Sequence, residues 1–324
     1  MLCPYCLTEQ NKFNFDKPQG KALPIYTCTN KECGSEVPAL YVNEYSVYPP
    51  LVVSAVGFRA HGKSTYFASL FHVFKGKKLT HVWDKFFIQP VNEEALDTIN
   101  ENVRMLEQGK MPQPNPKNFP LPTMVQLHGI PKHQNRTLLC YDTSGESFER
   151  PKQLVQYARF VEHAETVFFL ICLDKIEEPH EKLGELLTTY RIGMHELGAK
   201  TKSQHLVVVF TKADAMSKYF TGEWAGLRQK LVQGSLESMK SLDLYLEEVN
   251  AVSDRLRLFT EQQLAAKQFL SNAKENFRSV RFTMISALGG SPDPRTNQVY
   301  TLEPRRLLDP LLLAMHPPKR FGIF

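Results

Sequence analysis

Residues 57–65 read GFRAHGKST and match G-x-x-x-x-G-K-[ST] through Gly57, Gly62, Lys63 and Ser64. The apolar run LVVSAV (51–56) precedes the match, and a helix-length run, TYFASLFHVF (65–74), follows it. Strand, glycine-bounded loop and helix, in that order, are the context in which such a loop holds phosphate. Glycines let backbone N–H groups converge on phosphate oxygens, and the helix N-terminus adds partial positive charge. Lys63 then reaches the terminal phosphates and the Ser64 hydroxyl ligates Mg2+. The stretch therefore predicts a site for a nucleoside triphosphate, with Gly57, His61, Gly62, Lys63, Ser64 and Thr65 contacting it and His61 filling the loop.

Working outward, runs of β-branched and apolar residues alternate with helix-length amphipathic segments from Leu51 onward, the pattern of a mostly parallel sheet flanked by helices. The predicted strands are LVVSAV, MVQLH, TLLCY, TVFFLICL, LVVVF and VRFTMI. MVQLH and TLLCY are joined by the short GIPKHQNR connection and are expected to pair antiparallel. Two insertions interrupt the series. Residues 81–122 hold a helical piece, EEALDTINENVRMLEQGK, and an irregular loop, MPQPNPKNFPLP. Residues 216–278 read as helical, with an apolar stripe through Leu242, Tyr245, Leu246, Val249, Val252, Leu256 and Phe259. That stripe suits a helix packed on the domain body or one that binds a partner; period does not separate the two.

Three further motifs stand at predicted strand ends. DTSG (142–145) closes TLLCY, where Asp142 can hold Mg2+ through water and the Gly145 N–H can contact a γ-phosphate. TKAD (211–214) closes LVVVF. A carboxylate at Asp214 accepts from N1–H and N2–H2 of guanine, a donor pair that adenine lacks, while Thr211 and the Lys212 stem flank the base. ISAL places Ser286 and Ala287 where a backbone N–H meets the guanine O6.

The ordered set GFRAHGKS, DTSG, TKAD and ISAL resembles the P-loop GTPases of the translation-factor and Ras-like class, over roughly residues 51–316. With the cysteine pairs in front and the two insertions, the chain looks like the bacterial double-GTPase type 2 proteins. That resemblance implies a Ras-like α/β fold, GTP and Mg2+ as ligands, and a regulatory role toward protein partners in bacterial conflict or antiviral defence systems.

Departures from the class pattern shape the catalytic expectations. Thr123 is the available switch threonine, although it also suits the first residue of a strand. Glu146 stands where Ras-like proteins carry a water-orienting glutamine; it can polarise water but repels the γ-phosphate, so hydrolysis should be slow. Arg59, in the phosphate loop, is either a solvent-facing cation or an arginine finger supplied in cis. A chain that binds nucleotide, turns it over negligibly and assembles a complex is the alternative reading.

The N-terminal residues form a distinct zone. Cys3-x2-Cys6 and Cys28-x4-Cys33 are two close pairs, the spacing of a tetrahedral four-cysteine zinc site, with disulfides as the alternative. A zinc ribbon is expected over residues 1–48 and the GTPase domain over 49–324. Cys140 and Cys172 lie in apolar runs and read as core. The net charge of +5 over 324 residues is small and its cations are dispersed, which gives no case for nucleic acid as the main ligand. The longest apolar run, TVFFLICL, is too short for a membrane span, so a cytoplasmic protein is expected.

Overall fold

A computed structural model describes residues 1–16, 25–113, 115–293, 295–296 and 298–317. Near the N-terminus, β1 (Asn14–Asp16), β2 (Ile25–Thr27) and β3 (Glu36–Val37) form an antiparallel three-stranded sheet, followed by the short helix α1 (Ala39–Asn43). Next come β4 (Pro50–Val56), α2 (Lys63–Lys75), α3 (Lys77–Val82), β5 (Phe87–Pro90), α4 (Glu93–Glu107), β6 (Thr123–His128) and β7 (Arg136–Cys140). The chain continues through α5 (Pro151–Tyr157), β8 (Thr166–Ile171), α6 (Pro179–Glu196) and β9 (His205–Phe210). It then runs through α7 (Ala225–Gln233), α8 (Leu242–Gln262), α9 (Lys267–Asn276), β10 (Ser279–Met284) and α10 (Asp309–Met315).

Strands β4 to β10 make a seven-stranded sheet in the order β10-β9-β8-β4-β7-β6-β5. β4, β7, β8, β9 and β10 run parallel, while β6 is antiparallel to both β7 and β5. All six predicted strands are present, and the β6–β7 hairpin has the expected antiparallel sense. The architecture is the Ras-like α/β class expected from the motif order.

Alternation along β4 explains the two-sided core: Val52 and Val56 face one apolar cluster, whereas Leu51, Val53 and Ala55 face the other. The second cluster takes Phe67, Leu70 and Phe71 of α2 with Ile99 and Val103 of α4. The first takes Leu154 of α5 and Leu183, Leu186 and Leu187 of α6. Cys140 and Cys172 are buried in this core as expected.

The first insertion contains more structure than the sequence suggested, and the second is helical as read. Within 81–122, β5 adds an edge strand to the sheet, and α4 starts where the Asn92 side chain accepts from Ala95 N at 3.0 Å. Within 216–278, the predicted stripe is the buried face of α8, with Tyr245, Val249, Val252, Leu256 and Phe259 all inside. It packs on the domain body.

The N-terminal sheet is packed onto the same core. Leu2, Cys3, Phe13 and Tyr41 join the first cluster. The Tyr141 hydroxyl donates to Pro4 O at 2.6 Å, and Thr137 Oγ1 donates to Tyr48 O at 3.0 Å. Among the described residues, no helix is long and apolar enough to cross a membrane.

Candidate nucleotide site and cysteine cluster

The phosphate loop leaves β4 and turns into α2 through two left-handed residues, Ala60 (φ 65°) and Gly62 (φ 84°). Gly57 must be glycine for a different reason: a Cβ there would stand 2.7 Å from Leu170 O on β8. His61 points away from the cleft, its Nδ1 3.0 Å from Leu170 O, which makes it the donor and fixes the neutral tautomer. Burial lowers its pKa to about 4. Buried and bonded to β8, it supports the loop from inside.

Lys63 folds back across the loop and donates to Gly57 O at 2.8 Å and Phe58 O at 3.2 Å. Burial pulls its pKa down to about 8, with nearby Asp142 opposing part of the fall. Gly145 of DTSG packs against the same loop; a Cβ there would lie 2.4 Å from Arg59 N. Only glycine permits this approach.

On the base side, Thr211 Oγ1 donates to His61 O at 2.9 Å, joining the TKAD turn to the phosphate loop. Lys212 adopts φ 51°, which turns the chain so that Asp214 enters the cleft. The Ser286 hydroxyl donates to Asp214 Oδ1, and Ser291 Oγ lies 3.4 Å from Oδ2. Ser286 thus orients the carboxylate. Ser291 was not legible in advance, because it lies beyond the last motif.

These elements line one cleft of ≈ 630 Å3. It brings together Gly62, Lys63, Ser64 and Thr65 with Gly145 and Glu146 of the DTSG turn. It also takes in Arg59 together with Thr211, Lys212, Asp214 and Ala287 on the base side. Gly57, His61 and Ser286 support the lining from behind. Thr123 is not part of the lining: it is the first residue of β6, paired with Cys140. Asn115, which no motif marks, approaches Ser64 instead, with Nδ2 3.3 Å from Ser64 Oγ.

Ser64 and Asp142 are suited to a magnesium ion. Asp142 Oδ1 is buried with no hydrogen-bond partner, an arrangement that costs free energy unless a cation or water satisfies it. Burial also raises the Asp142 pKa, against the pull of Asn115, Ser64 and Lys63.

The four N-terminal cysteines also converge. One thiol sulfur from each of Cys3, Cys6, Cys28 and Cys33 lies within 4.8 Å of the others, and Cys6 Sγ is 3.6 Å from Cys28 Sγ. Zinc–sulfur bonds of about 2.3 Å in a tetrahedron place sulfurs roughly 3.8 Å apart. A disulfide requires about 2.05 Å, and all six cysteines are free. The donor set fits zinc, with every coordination position filled by protein.

Two outcomes follow from this geometry. Freshly purified, reduced protein should contain about one zinc per chain, and Cys28→Ser should lose it with a drop in melting temperature; metal analysis of both forms decides. Burial depresses the Lys63 pKa, and bound phosphate would favour the charged amine. Triphosphate binding should therefore take up protons increasingly as pH rises through about 8. Above that value affinity should weaken by up to about tenfold per pH unit. Calorimetry in buffers of different ionisation heat reads the proton uptake directly; none at pH 8.5 would place the Lys63 pKa elsewhere.

A comparison with curated protein sequences gives no match. Among solved structures, the chain is similar to the S. cerevisiae Ski7 GTPase-like domain bound to GDP and inorganic phosphate. That pairing has 16% identity and a TM-score of 0.36, over 87% of this chain and 53% of that one. It is also similar to Sup35 complexed with GDP, with 15% identity and a TM-score of 0.28, over 75% of this chain and 38% of that one. The chain thus spans less than two thirds of either structure. The model of the Double-GTPase 2 family matches residues 51–267, well over half of the 324 residues. With phosphate loop, DTSG turn and base loop all inside that match, the chain belongs to the double-GTPase 2 family.

Proposed function

We propose that this chain binds GTP with Mg2+ and acts as a slow GTP hydrolase that switches between two nucleotide-dependent shapes. The observation that carries the reading is the union of the four motifs in one cleft, with Asp214 presented at the base end and Lys63 at the phosphate end. Magnesium, held by Ser64 and Asp142, would neutralise charge developing on the phosphate oxygens. The chain's own contribution is positional. Lys63 exchanges its two carbonyl partners for phosphate oxygens, and the Gly145 N–H is placed beside the phosphate loop to register a γ-phosphate. Arg59 stands at the rim, exposed and within the lining, where it is available to the phosphates as a finger in cis.

Glu146 favours low turnover. Its Oε2 lies 3.8 Å from Lys117 Nζ, so the carboxylate is engaged by the loop preceding β6. A chain that hardly hydrolyses GTP and serves as an assembly scaffold is the second reading, and this same pair supports it. The family resemblance supports a cytoplasmic regulator of protein partners in a bacterial defence setting. The ribbon and the helices between 216 and 278 offer partners surface; most of the tail HPPKRFGIF lies outside the described residues.

Asp214→Asn tests the base. Its amide would face a donor on guanine but suits the C2 carbonyl of xanthine, so guanine affinity should fall roughly tenfold to a hundredfold while XTP gains. Competition among GTP, XTP and ATP reads the change, and a wild type preferring ATP would overturn the GTP assignment. Turnover is tested by single-turnover phosphate release from Glu146→Gln with GTP binding measured alongside. Removing the repulsive charge should raise the rate severalfold with binding retained, whereas an unchanged rate would make Glu146 a bystander.

A further inference from the structure

The loop between α4 and β6 enters the nucleotide cleft through Met111, Pro112, Gln113 and Asn115. Asn115 goes deepest. Its Nδ2 lies 3.3 Å from Ser64 Oγ and 3.3 Å from the backbone carbonyl of Asp142. A carbonyl oxygen only accepts, so the amide nitrogen, and not the oxygen, faces the site in this state. On the second of these residues, Asp142 Oδ1 is buried and without a partner. A side-chain donor therefore contacts both magnesium-suited residues.

Thr123, the threonine with the right chain order, is held elsewhere. It belongs to the β6–β7 ladder opposite Cys140, and its displacement into the cleft would break the start of that ladder. Asn115 has the same order in the chain, after the phosphate loop and before DTSG, but lies in an irregular segment free of any ladder. Its neighbour Lys117 pairs with Glu146. With the Gln153 amide oriented to satisfy both partners, Gln153 accepts from Lys117 Nζ at 2.6 Å and donates to Glu146 O at 2.7 Å. One short loop thus touches both the metal position and the residue expected to influence the attacking water.

We propose that Asn115 is the switch residue of this chain, its amide nitrogen held by Ser64 and the Asp142 carbonyl in one state and its amide oxygen offered to the magnesium of a bound triphosphate in the other. An amide oxygen is a hard, neutral ligand of the kind magnesium accepts. The two ends of one amide serve the two states, with the loop and its Lys117–Glu146 contact following. This inference rests on the GTP reading above, and the experiment separates the two.

The probe is a fluorescent, non-hydrolysable GTP analogue bound to the full chain, titrated with magnesium. In Asn115→Ala the magnesium concentration for half-maximal retention of the analogue should rise about tenfold or more. Binding in EDTA should hold, because the proposed amide-oxygen contact acts only through the metal. Asn115→Asp, which keeps an oxygen ligand, should restore most of the magnesium response, and Thr123→Val should leave it as in wild type. Trypsin provides a second readout: analogue and magnesium should alter cleavage at Lys110 and Lys117 in wild type but not in Asn115→Ala. An Asn115→Ala protein with wild-type magnesium dependence, or a Thr123→Val protein that loses it, overturns the assignment to Asn115 alone. A wild type that binds no GTP analogue at any magnesium concentration overturns the GTP reading, and this inference with it.

Discussion

The bond from the Thr211 hydroxyl to the His61 carbonyl is the contact on which the geometry of the cleft depends. It joins loops that leave β4 and β9, strands that are separated in the sheet by β8. Leu170 of β8 completes the tie by accepting from the His61 ring. Each such bond contributes only about 0.5–1.5 kcal/mol net, so the arrangement matters more for position than for stability. The distance between Lys63 and Asp214 is set by three adjacent parallel strands and two short bonds. A ligand spanning phosphate and base loops meets a frame already built, and ordering costs little.

Packing is close where the DTSG turn meets that frame. Gly145 has no room for a Cβ because the backbone of Phe58 and Arg59 lies against it. The turn therefore cannot change its path without shifting relative to the phosphate loop. Glu146, the next residue, is drawn toward Lys117 at the exposed edge. A pair this accessible contributes little stability and is easily exchanged.

The strands, their order and the phosphate loop were legible in the sequence because backbone chemistry demands particular residues there: glycine where Cβ atoms collide, β-branched runs where both faces are buried. The remainder depended on tertiary context. β5 is four residues ending in Pro90 and becomes a strand only because β6 offers it a ladder. The stripe on α8 was visible, but not that its two ends serve different clusters: Tyr245 and Val249 face one, while Val252, Leu256 and Phe259 face the other. At 21 residues, about 31 Å, the helix is long enough to pass from one side of the core to the other. Asn115 left no signal except a polar side chain in a proline-rich loop. Thr123 answered the motif more closely, but strand pairing claimed it.

The cysteine cluster gains its meaning from one tyrosine. Tyr141 lies between Cys140, the last residue of β7, and Asp142, the first residue of DTSG. Its ring stacks on Phe160 at 4.7 Å, and its hydroxyl donates to Pro4 O, between the two cysteines of the first pair. A pair of cysteines on a loop with few apolar residues of its own is positioned mainly by whatever closes it, and four thiolates around one ion would close it firmly. The carbonyl that receives Tyr141 is then fixed by the cysteine cluster, and the first residue of the DTSG turn is anchored one position away. The N-terminal module is thereby tied through Tyr141 to the strand end from which the DTSG turn starts, so the cysteine cluster and the start of that turn share one anchor.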